Sequence, residues 1–404
     1  MKQYQNYIQG KWVSGDGSET KLYNAINGDV LGEVSSKGID YKSVLEYGRS
    51  VGGPALRKMT FQERGRMLKA LAFHLLEKKA NYYNVSSWTG ATKIDSWIDI
   101  EGGLGNLFAN ASLRKQFPDL PYYVDGVAAP LSKGGSFIGH HIMVPKEGVA
   151  IHINAFNFPI WGMLEKIAVN LMAGVPAIVK PSEYTCYLTE VMVRDIIASK
   201  ILPEGSLQLI CGLGRGIIDY VDCRDTVSFT GSATTGKILK SLPLITEESV
   251  SFNLEADSLN ATILGKHAVP GTAEYDLFVK ECVKEITIKT GQKCTAIRRI
   301  MVPEDLIDDV EKSISEKLAK TTIGDPSQEG VRMGALATKI QVDRVRENVD
   351  LLSKSQEMVF GDLDGFDVIG ADKKLGAFFS PVLFLRTLLN QRSPYQMALL
   401  RQHV

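Results

Sequence analysis

Apolar and polar positions alternate in two different rhythms along the chain. Over residues 41–84 the apolar positions step by three and four, as in Met67, Leu68, Leu71, Leu75 and Leu76. That is the stripe of an amphipathic helix packed against a core. Gly52-Gly53-Pro54 interrupts the stretch and predicts a break there. A further helical stretch is expected over 95–115. Ahead of these, Tyr7 to Val13 reads as a strand broken by a turn at Gly10. Residues 125–142 are rich in Gly and Ser and alternate near 136–143, which predicts a β-hairpin projecting from a domain. From Gly148 the rhythm changes. Short apolar strands at 149–153, 177–180, 207–210 and 226–229 alternate with helical stretches at 159–173, 185–199 and 216–220. This β-α-β alternation predicts a parallel sheet covered by helices, a fold that binds nucleotides at the carboxyl ends of its strands. After Glu255 a second α/β region is expected, with helices over 273–290, 305–320 and 338–354 and strands at 300–302 and 378–385.

Composition narrows the function classes. The 404 residues carry 46 Lys plus Arg against 46 Asp plus Glu, so net charge is zero and no basic surface for nucleic acid is expected. The five cysteines are odd in number and scattered, with no CxxC or Cys/His cluster, so neither a disulfide framework nor a metal site is expected. Free thiols fit a reducing cytoplasm. The N-terminus lacks an apolar leader. The longest apolar stretch, 167–179, holds Asn170, Gly174 and Pro176 and is too short to span a bilayer.

Several residues could carry chemistry, each with a plainer alternative. Cys294 follows Gly291, Gln292 and Lys293; a thiolate there would be a strong nucleophile, whereas an isolated Cys is usually buried and inert. The inert reading is assigned to Cys186, Cys211, Cys223 and Cys282. Asn157, between a strand and the helix opened by Pro159, could donate to an oxyanion or simply cap the helix. Lys180, Ser182 and Glu183 end a strand, where Lys and Glu could grip ribose hydroxyls or form a weak solvated pair. Thr230, Gly231 and Ser232 end another strand and open a helix, which suits either a phosphate or an ordinary Ser cap. Glu255, if partly desolvated, could activate water; alone it reads as a surface Glu. Gly212, Gly214 and Gly216 form a Gly-x-Gly-x-Gly run that departs from the dinucleotide fingerprint and reads as a flexible loop.

Taken in order, Gly10-Lys11-Trp12, Asn157-Phe158-Pro159, Lys180 with Glu183, Phe229-Thr230-Gly231-Ser232, Glu255, Gly291-Gln292-Lys293-Cys294, Gly324-Asp325-Pro326 and Met333-Gly334-Ala335-Leu336 resemble the aldehyde dehydrogenase superfamily. The resemblance runs from about Tyr7 to Leu385. It implies an α/β fold with a Rossmann-type dinucleotide-binding domain at 1–125 and 147–256. It further implies an oligomerisation hairpin at 126–146 and a catalytic domain at 257–384. Glu255-Ala256-Asp257-Ser258-Leu259-Asn260 and Lys293-Cys294-Thr295-Ala296-Ile297-Arg298-Arg299 look like the subgroup that oxidises CoA-linked semialdehydes in aromatic degradation. Residues 95–103 lean toward the phenylacetate type (3-oxo-5,6-dehydrosuberyl-CoA semialdehyde) ahead of the benzoyl-CoA type (3,4-dehydroadipyl-CoA semialdehyde).

The roles implied are Cys294 as nucleophile, Asn157 with the Cys294 N–H as oxyanion donors, and Glu255 as the base for water. Lys180, Ser182, Glu183, Thr230, Gly231 and Ser232 would hold NADP, with NAD as the alternative because a carboxylate beside the ribose opposes a 2′-phosphate. A CoA-linked aldehyde is the expected partner and a homo-oligomer the expected assembly, with no nucleic acid, membrane or metal. The family's downstream Glu-Ala-Phe-Gly-Pro-Val type motif has no counterpart here, and 385–404 is basic, with Arg386, Arg392, Arg401 and His403. The expectation is a non-family tail on a C-terminally truncated chain with an incomplete catalytic domain. An inactive cofactor-binding protein is the second reading.

Overall fold

The structure, a computed structural model, describes residues 1–386 and 395–399. Most of the segment read as a tail, Arg392, Arg401 and His403 included, lies outside the described residues. The chain forms two compact units. One comprises Met1–Leu22, Gly32–Tyr82 and Trp97–Ala256; the other comprises Tyr23–Leu31, Tyr83–Ser96 and the chain from Asp257 onward.

The first unit is built on a seven-stranded sheet in the order Ser251–Ala256, Thr226–Gly231, Ala150–Ile153, Ala177–Lys180, Leu207–Leu209, Asn6–Ile8, Lys11–Val13. The first five strands are parallel, and the last two join as an antiparallel hairpin. By chain position the parallel strands lie in the order 5-4-1-2-3, the doubly wound arrangement. Its direction reverses between Ala150–Ile153 and Thr226–Gly231, and ligands of such sheets bind outside the carboxyl ends at that reversal. The strands read as continuous apolar runs because both faces are covered: Val149, Ile151, Ile178, Ile210 and Val227 are buried in one cluster with Val44 and Leu45. Helix Pro159–Ala173 begins on Pro159 and ends where Gly174 turns left-handed at φ 82°, its N–H donating to the Asn170 and Leu171 carbonyls. The projecting hairpin is present as Tyr123–Pro130 paired antiparallel with Ile138–Met143, and Val127, Phe137, Ile138 and Ile142 on it are exposed.

The second unit carries a five-stranded sheet in the order Ala261–Ile263, Arg299–Pro303, Tyr395–Leu399, Leu383–Arg386, Glu357–Phe360. The first pair is parallel and the others are antiparallel. Helices Ala273–Thr287 and Ile307–Leu318 bury Val279, Cys282, Val310 and Ile314 against Ile300 and Val302.

Two expectations fail for physical reasons. Gly52-Gly53-Pro54 does not break the helix. Tyr41–Tyr47 runs through a π-turn at Gly48–Gly52 into Gly53–Lys58, and Pro54 sits in the first turn of that second piece, where its missing N–H costs nothing. Gly52 is needed for packing, since a Cβ there would lie 2.1 Å from the Gly205 carbonyl oxygen. The chain breaks later, at Met59, and restarts on a Thr60/Glu63 capping box. The strand expected over 378–385 is only Leu383–Arg386, because Pro381 has no N–H to give a sheet ladder.

His152, on the central strand, is wholly buried, with Nε2 2.8 Å from Asn170 Nδ2. Burial, reinforced by the Lys166 charge, pushes its pKa from 6.5 down to about 3. The unfolded chain therefore binds this proton at a pH where the folded chain does not. Stability is complete above about pH 6.5 and drains away as pH falls toward 3. His152→Gln should flatten that limb. Urea midpoints for the two proteins should run parallel near neutrality and converge or cross near pH 4.5 (roughly midway through the window); parallel behaviour throughout would remove His152 as the cause.

Candidate active site

The first unit gathers its candidate residues at the carboxyl ends of its parallel strands. Lys180 closes its strand, 7 % exposed, and Nζ pairs with Glu183 Oε2 at 3.2 Å. The pair is largely shielded from solvent, so it is not the solvated loop contact of the plainer reading. Ser182 is buried beside it, its hydroxyl 3.5 Å from the Tyr184 N–H. The Gly212–Gly216 run, read as a mere flexible loop, has a defined place. Gly214 turns at φ 64°, its N–H donates to Ser36 Oγ at 2.9 Å, and a Cβ would meet the Lys180 stem at 3.0 Å. Only glycine lets this loop lie along the lysine.

Asn157 is half-buried and lies one residue ahead of the cap position of the helix that follows. Phe158 occupies the cap position without a side-chain bond, and the donors are satisfied from elsewhere: Asp99 Oδ1 accepts the N–H groups of Ile160 at 3.0 Å and Trp161 at 2.7 Å. Asp99 comes from helix Lys93–Ser112, some sixty residues earlier, so the sequence around Asn157 gave no sign of it. Thr185 Oγ1 donates to the Phe156 carbonyl at 3.1 Å and steadies the same turn. Ser232, by contrast, does cap its helix, Ala233–Lys240, accepting from the Thr235 N–H at 3.3 Å; it is exposed and the helix N–H groups open beside it. Glu255 lies beside Thr230 in register on the edge strand, and Thr230 Oγ1 donates to Glu255 Oε2 at 3.4 Å. Glu255 is exposed rather than partly desolvated, because an edge strand leaves that side of the sheet open.

Cys294 belongs to the second unit. It is exposed, whereas Cys186, Cys211 and Cys282 are buried. Burial pushes the Cys282 thiol up to about 12 and the Cys211 thiol up as well, so both are inert. Cys223 departs from its expected burial and is exposed, on a turn flanked by Asp222 and Arg224. The backbone around Cys294 is clamped. Its carbonyl accepts from Ser258 Oγ and from Asn260 Nδ2 at 2.7 Å, and the same Asn260 amide reaches the Ala296 carbonyl at 3.1 Å. The Asn260 carbonyl in turn accepts the N–H groups of Arg298 and Arg299. Arg298 is buried, donates to the Lys293 carbonyl at 3.2 Å, and is brought down to about 10 by burial, against the fields of Cys294 and Glu285. Lys293 points to Glu285 at 2.7 Å. In the sequence Ser258, Asn260 and Arg298 stand out only within the family resemblance; their clamping role depends on pairing of Ala261–Ile263 with Arg299–Pro303. No cluster placed to hold a metal occurs among the described residues, and no helix there is long and apolar enough to cross a membrane.

A doubly wound sheet with Lys180 and Ser232 at its carboxyl edge, in one chain with an exposed cysteine on a clamped loop, is the combination expected of a dinucleotide-dependent enzyme that uses a thiol. Residues 12–392 match the aldehyde dehydrogenase family, and the chain belongs to it. It is 42 % identical over 379 residues to a 3,4-dehydroadipyl-CoA semialdehyde dehydrogenase of Aromatoleum evansii, covering 94 % of this chain and 74 % of that one. Among solved structures it is similar to a 3,6-anhydro-L-galactose dehydrogenase (TM-score 0.82, 21 % identity, 97 % of this chain and 79 % of that one). It is also similar to an aldehyde dehydrogenase of Bacillus cereus in complex with NAD+ (TM-score 0.80, 21 % identity, 95 % and 75 %). These two show the fold.

The phenylacetate type has no support among these relatives, and the Aromatoleum relative carries the other substrate name. Residues 95–103 serve packing in this structure. Asp99 caps a helix, and a Cβ on Gly102 would lie 2.3 Å from the Trp161 ring.

Proposed function

We propose that the chain oxidises a CoA-linked semialdehyde of the 3,4-dehydroadipyl-CoA type to the carboxylic acid through a thioester on Cys294. The observation that carries the substrate class is the 42 % identity spread over 94 % of the chain. The site residues support the chemistry. Cys294 adds its sulfur to the aldehyde carbon, and the oxyanion so formed is held by the Asn157 amide and the Cys294 N–H. Bound NAD(P)+ supplies the hydride acceptor. Glu255 then takes a proton from water as it attacks the thioester, releasing the acid and the Cys294 thiolate. Lys180 and Glu183 hold the adenosine ribose, with Ser182 and Thr230-Gly231-Ser232 lining the crevice and the helix N–H groups beyond Ser232 facing the pyrophosphate. NADP is the favoured cofactor and NAD the alternative. Glu183 is paired with Lys180, which offsets its repulsion of a 2′-phosphate. The exposed apolar hairpin Tyr123–Pro130/Ile138–Met143 serves assembly of a homo-oligomer.

The deciding experiment sets CoA-linked semialdehydes against the free semialdehydes, with NADP+ and NAD+ in parallel. The expected result is a kcat/KM at least about tenfold higher for the CoA-linked compounds, since remote binding energy raises turnover at the reacting centre. Equal rates on free aldehydes would overturn the substrate class, and cofactor binding without any turnover would favour a non-catalytic protein. Lys180→Ala should raise the cofactor KM by about tenfold, with kcat changed far less, as a lost charge-assisted contact does.

A further inference from the structure

The three residues Lys289, Thr290 and Gly291, which lead directly to Gln292-Lys293-Cys294, all have left-handed backbones, at φ 51°, 54° and 73°. Glycine adopts that region freely. A lysine rarely does, and a β-branched threonine there is an outlier. Lys289 and Thr290 are nevertheless buried at 3 % and 2 % exposure, so the conformation is held by the surroundings and is not a loose turn finding its own way. The bonds that hold it come from two other segments of the same unit. Asp95 Oδ1 accepts the Lys289 N–H at 2.7 Å, while Oδ2 is engaged by the Thr92 N–H and hydroxyl. Lys289 Nζ donates to Thr89 Oγ1 at 3.0 Å. Thr290 Oγ1 lies 3.1 Å from the Gly334 carbonyl and 3.3 Å from that of Ala335. Gln292 closes the frame, its Nε2 donating to the Lys289 carbonyl at 2.9 Å and its Oε1 accepting from the Ala337 N–H at 3.0 Å.

A strained conformation persists only where surrounding bonds over-determine it, and such places collect at sites where geometry matters. Here the turn leads into Cys294, whose own carbonyl is fixed by Asn260. We infer that Thr290 is a positioning residue: its hydroxyl, latched to the 334–335 carbonyls, holds the left-handed turn that presents the Cys294 thiol. The inference rests on the reading of Cys294 as the nucleophile.

Three substitutions separate the latch from mere folding. Thr290→Ser keeps the hydroxyl. Thr290→Val keeps the branched shape and loses the hydroxyl. Thr290→Gly loses the hydroxyl but relieves the backbone, so it should fold about as well as the parent protein. The readouts are the alkylation rate of Cys294 by iodoacetamide, followed by mass spectrometry, its pH profile, kcat and KM for aldehyde, and the melting temperature. The expected result is near-parental alkylation and kcat for Thr290→Ser, and losses of about tenfold or more in both for Thr290→Val and Thr290→Gly, with cofactor affinity unchanged. For Thr290→Gly the loss should come without a lower melting temperature, a divergence that a purely structural role would not produce. Parental alkylation in a folded Thr290→Gly protein overturns the proposal. Full turnover in Cys294→Ala would instead overturn the nucleophile itself and leave the alkylation comparison standing as a separate result.

Discussion

Replacing Cys294 by Ala should lower aldehyde-dependent NAD(P)H formation by about 10⁴-fold or more, the scale on which an enzyme loses a covalent nucleophile. That is roughly 5.5 kcal/mol of transition-state stabilisation. None of the other four cysteines is an exposed thiol in the same unit. Cys186, Cys211 and Cys282 are buried, and Cys223, though exposed, sits in the other unit on the turn after Val221. Cys223→Ala is therefore the matched control and should keep parental turnover. Cofactor affinity should survive in Cys294→Ala, because Lys180, Glu183 and Ser232 all belong to the unit built on the parallel sheet. A Cys294→Ala protein that retained even a tenth of parental turnover would remove the covalent mechanism, whatever the family.

The parts of this fold that were legible in the sequence are those with local causes. The bounds of helix Pro159–Ala173 are legible because both signals lie in its own ends, a Pro that fits the first turn and a Gly that can turn left-handed. The parallel strands were legible because burial on both faces leaves short uninterrupted apolar runs. What failed or stayed hidden has distant causes. Gly52 has the local look of a breaker, yet it is a contact point for Gly205, about 150 residues away in sequence. The helix after Asn157 takes its capping acceptor from Asp99, which no local pattern around Asn157 contains. The left-handed turn before Cys294 was hidden for a further reason. Only Gly291 looks like a turn residue; Lys289 and Thr290 are forced into that conformation by Asp95, Thr89 and the 334–335 carbonyls. A sequence reader sees the propensity of Thr290, which points away from its actual geometry.

Glu255→Gln should split the reaction in two. The proposed role of Glu255 begins only once the thioester exists, so addition of the thiol and loss of hydride should proceed and give a burst of NAD(P)H equal to the amount of protein. Steady-state turnover should then fall by about 10²–10³-fold, within the range that a positioned general base contributes. Gln keeps the size of the side chain and an acceptor for the Thr230 hydroxyl, so the strand register Thr230↔Glu255 should be undisturbed and the loss chemical rather than structural. Mass spectrometry of the protein quenched after the burst should find the acyl group on Cys294. A burst of parental size with slow release places Glu255 in the hydrolytic half. Absence of the burst would mean that Glu255 acts earlier, on the thiol, and unchanged steady-state turnover would mean that an exposed Glu on an edge strand is, here as usually, only a surface residue.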